Sequence, residues 1–355
     1  MPRWALLIPI AAVIVLAAGF AMPEQPAVLV TAVIALVAAV FAAVHHAEVV
    51  AHRVGEPFGT LVLALAVTII EVALIVSMML AGGPDKAALP RDTIFAAIMI
   101  ICNGVVGVCL LVGGLRHREQ SFRVEGATAG FGALIALAAL SLVLPSFTVS
   151  SAGPTYTESQ LAFAGIASLV LWAVFAFFQT VRHRDYFLPA QAADDEQAHA
   201  APPSAGLAWA SFTLLLVSLV AVIGLAKVLS PSIESGIAQA GAPKAVVGIA
   251  IAMLVLMPET WAAVRAARAN RVQTSLNLAI GSALASIGLT IPAVAATAVL
   301  LDLPLMLGLD PKDLALLVAT FLVGTITLGT GRTNLMQGAV HLVLFAAFLF
   351  LALVP

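Results

Sequence analysis

Long apolar runs alternate with short polar connections along this chain. Eleven runs are long enough to cross a bilayer as helices: Trp4–Met22, Ala27–Val50, Thr60–Leu80, Thr93–Leu115, Ala127–Leu144, Ser159–Val181, Leu207–Val228, Ala245–Val264, Thr274–Leu301, Leu314–Leu328 and Leu335–Val354. A helix rises about 1.5 Å per residue, so runs of roughly 20 residues match a hydrocarbon layer about 30 Å thick. The pattern predicts an all-α integral membrane protein of about eleven transmembrane helices. One leading helix (1–24) precedes two five-helix sets, 25–181 and 207–355. The first run follows Arg3 and ends in small residues, as a secretory signal peptide does, but its length and the ten spans behind it favour a retained helix.

The one long polar connection, 182–206, carries Asp194, Asp195 and Glu196 beside Pro202 and Pro203. It reads as a solvated cytoplasmic linker between the halves, with the acidic trio a weak candidate for a metal or regulatory contact. Five spans separate equivalent positions in the two sets. Five is odd, so equivalent helices run in opposite directions, as in the inverted repeats of many secondary transporters.

Composition sharpens the class. The chain is 62% hydrophobic and 10% charged, with a mean hydropathy of +1.11, which excludes an ordinary soluble globule. A net charge of -2 offers no basic surface of the kind nucleic acid requires. The two cysteines, Cys102 and Cys109, lie seven apart in one span and cannot reach each other as a disulfide. Placing the N-terminus in the cytoplasm puts Arg3, Arg53, Arg116, Arg118, Arg123, Arg182, Arg184, Arg265, Arg268, Arg271 and Arg332 inside. Lys86, Arg91, Lys227, Lys244 and Lys312 then fall outside. That bias predicts a multi-pass cell (inner) membrane protein with a cytoplasmic N-terminus and an external C-terminus.

Two carboxylates interrupt the apolar runs away from their ends. Glu71 lies about 16 Å along the helix that starts at Thr60, near the bilayer midplane. Glu259 follows Pro258 in the corresponding run of the second half. A carboxylate at that depth costs about 2.5 to 3.5 kcal/mol even on the lenient insertion scale, so both residues are expected to face protein or a water-filled cavity. Asn103 and Ser282 follow Arg91 and Arg271 by eleven or twelve residues and offer smaller polar ligands at similar depth. Burial and mutual repulsion both disfavour a doubly ionised pair, so an empty site would hold protons that a cation displaces. Calcium, which takes six to eight oxygens, suits two carboxylates supplemented by Asn103, Ser282, water and carbonyls freed near Pro258 or Pro292. Magnesium dehydrates too reluctantly.

At these residues the chain resembles the calcium/proton antiporters of the ChaA type, within the cation/calcium exchanger superfamily. The matching stretches are HHAEVVAHRVGEPFGTLVLALAVTIIEVALI (45–75), RDTIFAAIMIICNGVVG (91–107), PETWAAVRAARANRVQTSLNLAIGSALASIGLTIP (258–292) and GTGRTNLMQGAVHLVLFAAFL (329–349). The resemblance implies eleven helices, export of cytoplasmic calcium driven by proton entry, and Glu71 and Glu259 as shared proton and cation ligands. It also implies sodium/proton or potassium/proton exchange as an alternative. Broader members carry a Gly-Asn pair shortly before each glutamate, where this chain has Val67-Thr68 and Val255-Leu256. Thr68 supplies one oxygen and Leu256 none, which leaves calcium selectivity open and room for sodium or potassium. No resident cofactor is implied beyond the transported ions. The expected partners are membrane lipid, inorganic cations and protons, and a homo-oligomer is compatible with the sequence.

Other polar residues have more than one reading. His45, Glu48 and His52 share one helical face near the cytoplasmic end of the second span, a spacing suited to metal binding or pH sensing but also ordinary for an interfacial helix end. Glu56 is placed to cap a helix or to line the cavity mouth. Gln337 and His341 lie four apart in the last span, as a hydrogen-bonded core pair or a proton relay. Arg332, in GTGRTN, is placed to anchor the cytoplasmic mouth. No Walker A loop or HExxH occurs, and nothing sets His341 against Ser282, so pump and protease readings lack their parts. A cation channel would share the midplane acids without needing protons.

Overall fold

The computed structural model describes residues 1–55, 58–82, 86–188, 203–239, 241, 243 and 245–354. Glu56 and the acidic trio Asp194, Asp195 and Glu196 lie outside them. Among the described residues the chain forms eleven helices. They are α1 (Arg3–Ala21), α2 (Pro26–Val54), α3 (Phe58–Gly82), α4 (Leu89–His117), α5 (Val124–Ser146), α6 (Glu158–Arg182), α7 (Ala205–Gln239), α8 (Ala245–Arg268), α9 (Val272–Leu300), α10 (Pro311–Gly329) and α11 (Leu335–Leu353). Ten of them contain a window long and apolar enough to span a membrane, and within α3 the described residues Ala64–Leu80 form a further apolar stretch. Each helix coincides with one predicted span. Most extend past it, because helices continue into the polar headgroup zone where hydropathy no longer marks them.

The helices form two compact units. The first comprises residues 1–86 and 200–255, the second 87–199 and 256–355. Each draws on both halves of the chain, and the division falls inside α8, between Val255 and Leu256.

In the first unit, α2 packs against α1, α3 and α7, and α1 and α3 also meet α7. Alanines line these seams, including Ala32, Ala39, Ala43, Ala221 and Ala226. Side chains that small let helix backbones approach closely, which is how helices gain packing energy where lipid removes the hydrophobic advantage. One seam also carries a polar tie. Pro9 sits inside α1 and has no N–H to give the carbonyl of Ala5, four residues earlier. The fully buried His46 of α2 supplies the missing donor, with Nε2 2.8 Å from that oxygen. This bond places the His46 proton on Nε2.

In the second unit α4 is the most enclosed span. It packs against α9 and α11, and α9 also lies against α5 and α6. Contact with α11 depends on glycine. A Cβ on Gly338 would collide with the Leu111 backbone, and one on Gly107 would press on Leu342 Cγ at 3.0 Å. Two short strands, β1 (Glu119–Ser121) and β2 (Arg332–Asn334), pair antiparallel at the ends of these helices. Hydropathy carries no sign of them. At the opposite end, residues 303–309 are stitched down by Met306 N–H to Ala87 O, Gly308 N–H to Pro154 O and Leu309 N–H to Leu142 O. Arg91 donates to the Gly308 carbonyl at 3.2 Å and to Asp92 at 2.8 Å, so the same loop is held from α4.

Candidate cation-exchange site

Glu71 and Glu259, the acids expected at the midplane, lie on helices of different units. Glu71 is on α3, in the first unit, and is 4% exposed. Its helix neighbours Val67, Ile70 and Leu74 belong to the apolar core formed with α2 and α7. Thr68, also 4% exposed, is one turn before it and presents a hydroxyl on the same helical face. Glu259 is half-buried on α8, in the second unit, the fourth residue past the division. Pro258 just before it withholds an N–H from the Leu254 carbonyl, while the Thr260 hydroxyl donates to Leu256 O at 2.7 Å. The turn leading to Glu259 therefore contains a backbone oxygen without its helical donor, as the proline predicts.

Asn103 occupies a π-helical turn, Ile100–Val105, in the middle of α4. Such turns widen the helix by one residue and recur at functional positions. The turn aims the fully buried Asn103 side chain at α10 and α11. Its Nδ2 donates to Thr320 Oγ1 at 2.8 Å, and its Oδ1 accepts from His341 Nδ1 at 3.2 Å. The other ring nitrogen, Nε2, meets Thr327 Oγ1 at 3.1 Å. Thr320 in turn donates to the Leu316 carbonyl at 2.8 Å. Each of these buried polar groups thus has a partner, which removes the desolvation cost of about 1–3 kcal/mol that an orphaned group carries.

The remaining candidates separate. His341 is joined to Asn103 and Thr327, whereas Gln337 closes a capping box at the start of α11, its Oε1 accepting from Asn334 N at 3.1 Å. The two have different partners because Gln337 lies at the helix start, where backbone donors lack intrahelical acceptors. Ser282 is half-buried on α9. His45 is half-buried with its ring against Trp4 at 4.8 Å, while Glu48 and His52 are exposed. Among the described residues no three His, Cys, Asp or Glu side chains converge as metal ligands. Arg332 is exposed on β2 and pairs with Glu119 at 3.4 Å. Cys102 and Cys109 are buried and free. Sequence reasoning passed over His46, whose signal was Pro9. A proline inside a buried helix strands a carbonyl, and a buried histidine on a neighbouring helix is a natural donor.

Eleven helices, with Glu71 and Glu259 each within an apolar span, fit a secondary ion exchanger. The chain belongs to the sodium/calcium exchanger protein family, whose profile matches residues 24–181 and 210–354. It is 49% identical to the putative ionic transporter y4hA of Sinorhizobium fredii (strain NBRC 101917 / NGR234), over all of this chain and 97% of that one. It is 35% identical to the sodium-potassium/proton antiporter ChaA of Escherichia coli (strain K12), over 97% of this chain and 94% of the relative. The solved structure of native YfkE shares the fold, with a TM-score of 0.75 at 17% identity, covering 99% of this chain and 100% of that one.

Proposed function

We propose that this membrane protein exchanges cytoplasmic calcium for protons, with Glu71 and Glu259 alternating between protonated and metal-bound forms as access alternates. It sits in the cell (inner) membrane with its N-terminus in the cytoplasm and its C-terminus outside. The observation that carries the reading is one carboxylate per half, each enclosed or partly enclosed within an apolar span where an idle charge is costly. Thr68, Ser282 and the carbonyl released by Pro258 supplement them as neutral oxygens suited to a hard cation. The Asn103 oxygen keeps a second lone pair beside its bond to His341, and is the weaker supplement because its amide is held within the α10–α11 network.

A specific observation supports sodium or potassium as the alternative ion. Val255-Leu256 precede Glu259, so that turn has no side-chain oxygen before the carboxylate, and a site with fewer protein ligands discriminates less strongly for calcium. The name of the Escherichia coli relative points the same way.

Proton movement in inside-out vesicles under an imposed pH gradient, with calcium, sodium and potassium added in turn, tests both. Calcium is expected to release the gradient, and Glu71→Gln and Glu259→Gln to abolish release while inserting normally. Full exchange in either variant overturns that residue's role. A flux indifferent to the pH gradient would make the protein a channel.

A further inference from the structure

We propose that the arginines where α4 and α8 end form a discrete site for the headgroup of one anionic phospholipid. Two arginine-rich segments about 150 residues apart in sequence meet there. Residues 115–123 contribute Arg116, Arg118 and Arg123, and residues 260–271 contribute Arg265, Arg268 and Arg271.

Side-chain hydrogen bonds clamp the segments together. His117 Nε2 bonds the Arg268 carbonyl at 3.1 Å, and the buried Gln120 amide donates to Ala267 O at 3.1 Å and Asn270 Oδ1 at 2.9 Å. Gln273 Oε1 accepts from the Arg123 N–H at 2.6 Å. Chain direction changes on both sides through residues in the left-handed region, Arg118 at φ 64° and Asn270 at φ 60°. Neither is glycine, so the packing around them holds an unfavourable backbone in place.

Arg116, Arg118, Arg265, Arg268 and Arg271 are all exposed. The one acid within the two segments, Glu119, is bonded to Arg332 of β2. Two helix C-termini point into this layer and disfavour anions, but each amounts to about half a charge. The exposed guanidinium groups of Arg116, Arg118, Arg265 and Arg268 outweigh them. Guanidinium groups also bind phosphate oxygens in pairs, which a diffuse charge cannot do.

Apolar surface beside the charge selects a lipid over a soluble phosphate. Trp261 is 68% exposed one turn before Arg265, so an indole and a guanidinium follow each other on one face of α8. Leu115, 70% exposed, immediately precedes Arg116 on α4. Indole at the interface with arginine beyond it matches glycerol and phosphate stacked above acyl chains. The general excess of positive charge in cytoplasmic loops predicts only unsaturable attraction, shared by every exposed arginine. A site predicts one lipid held, with a dependence on these arginines and not on others.

Native mass spectrometry of the purified full chain, titrated with phosphatidylglycerol or phosphatidylcholine, separates the two. One phosphatidylglycerol is expected to be retained at least tenfold more tightly than phosphatidylcholine. Arg265→Gln with Arg268→Gln should weaken it about 25-fold, at roughly fivefold per arginine. Arg182→Gln with Arg184→Gln, exposed arginines of the same unit outside the two segments, should change it less than twofold. Arg116→Gln with Arg118→Gln repeats the test from the other helix if the first pair folds poorly, judged by thermal unfolding. Equal losses in the clamp and control pairs, equal retention of the two lipids, or displacement of phosphatidylglycerol by millimolar inorganic phosphate would each overturn the proposal.

Discussion

Replacing His46 with leucine should loosen α1 from α2, and the structure indicates by how much. The side chain is fully buried, and Nε2 is the donor to an Ala5 carbonyl that Pro9 cannot satisfy. Leaving that buried acceptor without the imidazole costs about 1–3 kcal/mol. Leucine recovers part of this, because His46 Nδ1 is itself buried with no hydrogen-bond partner among the described residues, and the substitution removes that penalty. The net loss should be about 1–2 kcal/mol. Pro9→Ala provides the control, since it restores an N–H to the Ala5 carbonyl from within α1. In that background His46→Leu should cost less than about 0.5 kcal/mol, giving a coupling of about 1–2 kcal/mol between residues on different helices. Reversible unfolding of the four proteins in mixed detergent measures the cycle. Equal losses from His46→Leu with and without Pro9 would refute the reasoning, because the histidine would then act through packing alone.

Two paired comparisons extend the argument to the second unit. Thr327→Val removes the hydroxyl that meets His341 Nε2 and should destabilise by about 1–3 kcal/mol. Thr325→Val, two residues away with its hydroxyl on the Phe321 carbonyl of its own helix, should stay within about 0.5 kcal/mol. Gly338→Ala drives a Cβ into the Leu111 backbone and should cost about 1–3 kcal/mol by separating α4 from α11, whereas Gly132→Ala, with nothing within 4 Å, should stabilise by about 0.5–1 kcal/mol. Thermal unfolding in one detergent reads all four, and a reversed order within either pair would contradict the packing described.

The helices were legible because a bilayer imposes one rule on every span, about 20 apolar residues with all backbone bonds made internally. That rule needs no knowledge of neighbours. Glu71 and Glu259 stood out for the same reason, as charges in runs where charge is costly. Hydropathy is blind to direction around a helix, however, and so to which side chains meet. Asn103 and His341, 238 positions apart, were separate candidates in the sequence, and a π-helical turn brings them into one network. Gln337, four residues from His341 and a plausible mate by spacing, belongs instead to the helix cap. The partition into units was equally hidden, since α8 is one unbroken helix across Val255 and Leu256 and only packing divides it.

By itself, then, the sequence determined the number of spans and singled out the acids that interrupt them, because both follow from the local cost of placing a group in hydrocarbon. Only the tertiary structure decided the partners, from the His46 bond to Ala5 to the arginine layer clamped by Gln120, because a hydrogen bond between helices depends on the rotation and register of both.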